Sequence, residues 1–247
     1  MVMSMGYIVK TRDNVFLDGI PLSTFGLAAE MPQPVPIAKP RYTVWSSGDS
    51  DMSEPDDSFE DVEYPLTVRR FRSPDDFRNP DFYAACATAK TLIISRHPGR
   101  YYKIKRLIGI TPTASAHGNE LAYTVTFALA PFAYHSSNPE IAITENKLVN
   151  PGTRYSRPLY KITHDVGGDT ILSVNGQTCT INYRASSPIY IDSERMIAYN
   201  DSGVNQTQHT SGLYPFLAPG MNLLSVVHSS GIASAASLTV KGNWRDY

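Results

Sequence analysis

The run Ile171, Leu172, Ser173, Val174, Asn175, Gly176, Gln177, Thr178, Cys179, Thr180, Ile181 places an Asn-Gly pair between two strand-forming segments. Asn and Gly both accept a positive φ, and a two-residue hairpin turn needs one at each central position. No other stretch of the chain carries so strong a hairpin signal. Outward from it come the short strand runs Ile189–Ile191, Met196–Ala198, Leu223–Val227 and Ser237–Val240, each bounded by turn residues. Regular short strands at this spacing predict a β-sandwich over residues 136–247. Acidic and basic residues are equal in number there. The turn cluster Ser136, Ser137, Asn138, Pro139 reads as a linker at its start.

The first 135 residues have a different character. Tyr7 and Val9, then Val15 and Leu17, flank the polar turn Thr11–Asn14 and predict a strand pair. Prolines 32, 34, 36 and 40 make Met31–Pro40 an extended connector, since proline cannot donate to a ladder. Asp49, Asp51, Glu54, Asp56, Asp57, Glu60, Asp61 and Glu63 follow with no basic residue among them. Apolar content there is too thin for a core, which predicts a solvated loop or arm. Ser73–Asp76 carries a helix-start pattern, and Asn79, Pro80, Asp81 repeat it. A helix is expected over Asp81–Lys90, with Phe82, Cys86 and Ala89 on one face. Strands resume at Leu92–Ile94, Tyr101–Ile110 and Leu121–Tyr134. In the last, Leu121, Tyr123, Val125, Phe127 and Leu129 alternate onto one face.

Composition narrows the function. The 247 residues carry a net charge of −1, with 18 % charged residues. A protein that grips nucleic acid through its phosphates needs a basic surplus, which this chain lacks. There is no apolar run long enough to span a bilayer and no secretory leader pattern. The two cysteines, Cys86 and Cys179, are far apart and read as free buried thiols, consistent with folding in a cytoplasm.

Catalytic and metal patterns are missing. The histidines at 97, 117, 135, 164, 209 and 228 show no ligand spacing. No nucleophile elbow, phosphate loop or dinucleotide fingerprint occurs. Asp49, Asp51, Ser53, Asp57 and Glu60 match the spacing of a calcium loop, but Glu54 stands where that loop requires glycine. The expectation is no enzyme, no cofactor and no metal.

Three C-terminal motifs resemble the distal tail proteins of siphophages. They are Val174–Gln177, then Pro215, Phe216, Leu217, Ala218, Pro219, Gly220, Met221, Asn222, Leu223, then Gly242, Asn243, Trp244, Arg245. Members of that family carry a "proline, x, leucine, x, proline, glycine, x, asparagine" turn before a strand and close on Trp-Arg. The order of N-terminal elements is similar too, so the likeness in layout runs along essentially the whole chain. One departure is the acidic Trp45–Asp61, where many relatives have a glycine-rich basic turn.

The resemblance implies a mainly β protein. Residues 1–135 would form a β-sheet or barrel-like ring domain with one packed helix, and residues 136–247 a galectin-like or carbohydrate-module-like β-sandwich. It implies a homo-hexamer at the virion tail tip, a structural hub joining the tail tube to baseplate or tip proteins. Its partners would be the tail tube protein, the tape-measure protein and receptor-binding or fibre proteins, with DNA passing unbound through the channel. Two sets of site residues are expected. Asp56, Asp57, Glu60 and Asp61 of the acidic segment would meet Lys103 and Lys105 across a subunit boundary. In the alternative reading, a carbohydrate-binding adhesion module, Tyr190, Tyr199, Tyr214 and Trp244 would stack on sugar rings. The competing expectation is that these four aromatics pack the sandwich.

Overall fold

The computed structural model describes residues 15–30, 34–47, 50–70, 80–114, 121–163, 168–182, 184–185, 187–228 and 237–247. Along 45–57, and at 70, 113, 114, 121 and 228, it describes backbone only. The expected strand residues Tyr7 and Val9, the turn Thr11–Asn14, the capping run Ser73–Asp76 and Asn79 lie outside these residues. Cα proximity divides the chain into two compact units, residues 1–136 with Tyr247, and residues 137–246.

The first unit is built from β1 (Val15–Leu17), β2 (Ile20–Pro21), β3 (Leu27–Ala29), β4 (Lys39–Ser47), β5 (Ser50–Glu60), β6 (Val62–Arg70), α1 (Pro80–Thr88), β7 (Thr91–Ile94), β8 (Arg100–Ala114) and β9 (Leu121–His135). Its main sheet has the strand order β2-β1-β7-β8-β9-β6-β3, antiparallel between every neighbouring pair for which a register is defined. Tyr64, Leu66 and Val68 of β6 and Tyr123, Val125, Phe127 and Leu129 of β9 point to one face and are buried. Phe82 and Cys86 of α1 enter that same core, with the Phe82 ring 5.7 Å from Phe25. Pro80 opens the helix, where a missing amide donor costs nothing, and Asp81 stands in the first turn. Asp18, in the left-handed region at φ 48°, accepts from the amides of Lys90 and Thr91 and fixes the exit from α1 into β7. The pairing of β8 with β9 shifts register at three places, each a local kink in a long strand.

Two expectations for this unit become more definite. Of the sheet or barrel-like domain expected, the described residues form a β-sheet whose hydrogen-bonded order runs from β2 to β3 without closing into a barrel. The acidic segment is not an irregular loop. β5 pairs antiparallel with β4 from Lys39↔Glu60 to Ser47↔Ser50, a two-stranded sheet of its own. A ladder needs backbone partners and not an apolar face. The β-forming run Tyr42, Thr43, Val44, Trp45 supplies the partner strand that composition alone did not reveal.

The second unit is a sandwich of two five-stranded sheets. One has the order β10-β19-β12-β15-β16 and the other β11-β18-β13-β14-β17. The strands are β10 (Glu140–Ala142), β11 (Lys147–Asn150), β12 (Leu159–Thr163), β13 (Thr170–Val174), β14 (Gln177–Ile181), β15 (Ile189–Asp192), β16 (Ile197–Asn200), β17 (Thr210–Gly212), β18 (Gly220–His228) and β19 (Ser237–Lys241). Tyr160, Ile162, Ile189, Ile191 and Val240 of the first sheet meet Leu172, Val174, Cys179, Ile181 and Leu224 of the second. Alternate residues face out, as aligned sheet packing requires. Among the described residues no helix is long and apolar enough to cross a membrane.

Candidate functional site

The motifs that carried the family likeness are structural joints. Val174 pairs with Gln177, so Asn175 (φ 48°) and Gly176 (φ 82°) form the two-residue turn that the sequence predicts. Asn175 Nδ2 donates to Asn222 Oδ1 at 2.7 Å, and the Leu223 amide donates to Asn175 Oδ1 at 2.8 Å. Gln177 reaches back in the same manner, accepting from the Phe216 amide at 3.2 Å. Asn222 is fully buried. Its Oδ1 also accepts from the Ala218 amide at 2.8 Å, while Nδ2 donates to the carbonyls of Ala218 and Gly220, each at 2.9 Å. One carboxamide thus closes the turn of the Pro215–Leu223 motif and receives the hairpin. These are the partners a buried amide requires.

The closing motif works by contact. A Cβ on Gly242 would stand 2.1 Å from the Trp244 ring, so only glycine lets the indole lie against this backbone. Trp244 is 4 % exposed and belongs to the sandwich core. Asn243 (φ 51°) exchanges two hydrogen bonds with the side chain of Asn138, and Arg245 Nε donates to the Tyr155 carbonyl at 2.6 Å.

The sugar-contact set does not assemble. Trp244 offers no open ring face, because burying a large aromatic serves the core first. Tyr214 packs at the core edge, with its hydroxyl 3.2 Å from Thr210 Oγ1. Tyr190 and Tyr199 do come together, as a cross-strand pair stacked at 5.3 Å with planes 6° apart. Yet Tyr190 is flanked on its other side by Lys161, whose Nζ lies 5.5 Å from the ring centroid. Its hydroxyl is held by Asp201 Oδ1 at 2.7 Å. Contact with the Tyr190 hydroxyl raises the lysine above its ordinary range. Burial, then Asp192, raises the Tyr199 phenol.

The charged set divides. Asp56 and Asp57 stand in β5, where only backbone is described, and Glu60 is exposed at its end. Lys105 Nζ meets Asp61 Oδ1 of its own chain at 2.5 Å. Lys103 lies over the Tyr134 ring, 4.1 Å from its centroid. Two members of the expected intersubunit set therefore pair within one chain, where the hairpin leaves the main sheet.

Sequence reading missed the residues at that root. The second face of β9 carries Ala128, Ala130, Phe132 and Tyr134, all buried. Phe132, Ala130 and Tyr134 form a small cluster with Ala38, Phe59 and Tyr101, separate from the main core. The Phe59 ring meets Phe132 edge-on at 5.0 Å, and Tyr247 approaches both rings, at 5.7 and 6.3 Å. The signal was available: from Ala128 to Tyr134 both alternating sets of β9 are apolar, the mark of a strand covered on two faces.

Chemistry is sparse. Burial pushes the Cys86 thiol up to about 12 and Cys179 up to about 11, so neither is a ready thiolate. Among the described residues no group of His, Cys, Asp and Glu gathers to hold a metal ion.

No family model matches the chain, and no curated protein matches it by sequence. Solved structures do. The SPP1 Dit protein (gp 19.1), described as a paradigm of the hub adsorption apparatus in phages infecting Gram-positive bacteria, superposes with a TM-score of 0.67. That match has 12 % identity and covers 93 % of this chain and 98 % of that one. A chain of the phage P2 baseplate in its activated conformation with Ca matches at a TM-score of 0.50 and 10 % identity, over 90 % and 92 % of the two chains. The chain shares the fold of these phage hub and baseplate proteins.

Proposed function

We propose that this protein is a structural, non-enzymatic hub of a phage tail tip. It assembles as a homo-hexameric ring that joins the tail tube to baseplate or tip proteins and leaves a channel for DNA and the tape-measure protein. The observation that carries this reading is the fold shared with SPP1 Dit across nearly the full length of both chains. Residues 1–135 are the ring-forming domain and 136–247 the outer sandwich domain in this reading. The protein folds in the host cytoplasm and resides at the virion tail tip, with receptor-binding or fibre proteins among its neighbours.

Two physical features support it. A two-stranded hairpin is marginal in water without a third strand or a packing surface. The β4–β5 hairpin is such a sheet, and Tyr42 and Val44 on β4 are more than half exposed. A neighbouring copy supplies the missing surface, through Asp56, Asp57 and Glu60 against the basic strand that holds Lys103. A contact from arm to strand is heterologous, and heterologous contacts close into a ring when the rotation between copies closes. The outward side of the main sheet is also suited to a passage. The row Thr67–Thr124–Thr111 and the row Pro65–Thr126–Gly109 are uncharged and small, a neutral band between the row of Arg69 and the row of Glu63 and Arg106.

Light scattering on the purified full chain, with negative-stain imaging, tests the reading. A ring of six copies is expected. Its mass should fall when salt is raised or residues 42–57 are deleted, because exposed ion pairs are screened. A monomer at all concentrations, with no ring in the images, would overturn it.

A further inference from the structure

We propose that Tyr247 is a positioning residue that latches the root of the β4–β5 hairpin and so sets the direction in which the arm leaves the main sheet. The inference stands on the geometry of one chain and does not depend on the ring reading.

The hairpin is fastened by its base. Pro40 and Phe59 are cross-strand partners at that base, one on each leg. Ala38, just before β4, and Phe59, one residue before the end of β5, both pack on the second face of β9. The main core lies on the opposite face of β9, so this fastening is a satellite cluster with its own stability. Phe132 supplies its floor. Tyr247 supplies its lid: its ring is tilted 55° to Phe59 and 73° to Phe132, and the three rings close a triangle. Tilted and edge-on arrangements are the favourable ones for aromatic rings at these separations. The lid is 52 % exposed. A half-exposed ring adds little to the main core, but it contacts both Phe59 and Phe132. Beside the cluster, the Lys105–Asp61 pair ties β8 to the residue between β5 and β6. An ion pair and an aromatic cluster therefore both hold the root, and Tyr247 is the exposed member of the aromatic one.

Hydrogen–deuterium exchange of the full chain, read by peptide, separates this role from general stabilisation. Tyr247→Ala is expected to raise exchange across residues 39–60 roughly 3- to 10-fold, the loss of one or two aromatic contacts. Residues 62–70 and 121–129, on the main core, should keep their protection. Tyr247→Phe retains the ring and should behave as the parent chain. Unchanged exchange over 39–60 in Tyr247→Ala would overturn the proposal. So would a rise shared equally by 62–70 and 121–129, or a Phe variant as loose as the Ala variant.

Discussion

Asn175 and Asn222, 47 positions apart in the chain, share a 2.7 Å hydrogen bond between their side-chain amides. Asn175 sits in an exposed turn, whereas Asn222 is fully buried with four further bonds to backbone groups. Replacing Asn222 with Ala removes the partner of the part-buried Ala218 amide and a donor to the carbonyls of Leu148, Ala218 and Gly220. Each orphaned group costs about 1–3 kcal/mol. The expected loss is about 3 kcal/mol in urea unfolding, and larger than for Asn175→Ala. In a double-mutant cycle the two changes should couple, because removing Asn222 already removes what Asn175 holds. Strictly additive losses would show that the turn and the Pro215–Leu223 motif are independent.

Glycine positions should rank by what stands in the way. At Gly176 an added Cβ meets nothing within 4 Å, but φ is 82°. Gly176→Val should destabilise by about 1 kcal/mol or more through backbone strain alone. At Gly242 a Cβ would overlap the buried Trp244 ring, which has no room to retreat. Gly242→Ala should therefore cost more than Gly176→Ala, and it should shift the tryptophan emission of Trp244. Equal thermal midpoints for the two Ala variants would contradict this ranking.

How much of this was legible in the sequence differs by element. The Asn175-Gly176 turn was legible because two residue types with positive-φ tolerance stand between alternating runs, a purely local code. The helix was legible because Pro80 and Asp81 are start signals, and its end at Thr88 lies within two residues of the expected Lys90. The hairpin strand β5 was not. Its acidic residues argue against burial, although Ser46, Ser47, Gly48, Asp49 and Ser50 are turn-type residues at the junction between it and β4. The place of Trp244 was not legible either, since an exposed platform and a core filler read identically as one tryptophan between polar neighbours. What decides it is Gly242, whose missing Cβ makes room for the indole. The root of the arm joins Phe59, Phe132 and Tyr247 across 188 positions, and no local pattern reports such a meeting.

The two thiols give a prediction in pH. An ordinary thiol here titrates near 9.0, and burial moves Cys179 to about 11 and Cys86 to about 12. The folded thiols ionise later than the unfolded ones. The stability they contribute is therefore whole below pH 9 and is lost as pH rises from there toward 11 and 12. A thiol reagent at pH 8 should modify neither cysteine in the folded protein and both in urea, and the midpoint of thermal unfolding should fall above pH 9. Rapid labelling of the native protein at pH 8 would mean that one thiol reaches solvent.

Backbone exposure predicts where a protease enters. Ser136 and Ser137 are exposed, and the division between the two compact units falls between them. Asn138 is held by two hydrogen bonds to Asn243, which resist the local opening that cleavage needs. A protease of broad specificity at low concentration should therefore nick first at Ser136–Ser137. The acidic hairpin should be cut later than its composition implies, because the β4–β5 ladder pairs the inward-facing backbone groups of both strands and must open before cleavage. The fragment beginning at Ser137 retains both five-stranded sheets and their core, and it should stay folded and resist further digestion. Edman or mass analysis of the first-formed fragments distinguishes the outcomes. First cuts within 50–60 would mean that the ladder opens readily in solution. A fragment from Ser137 onward that is degraded as soon as it forms would mean that the sandwich is not a domain in its own right.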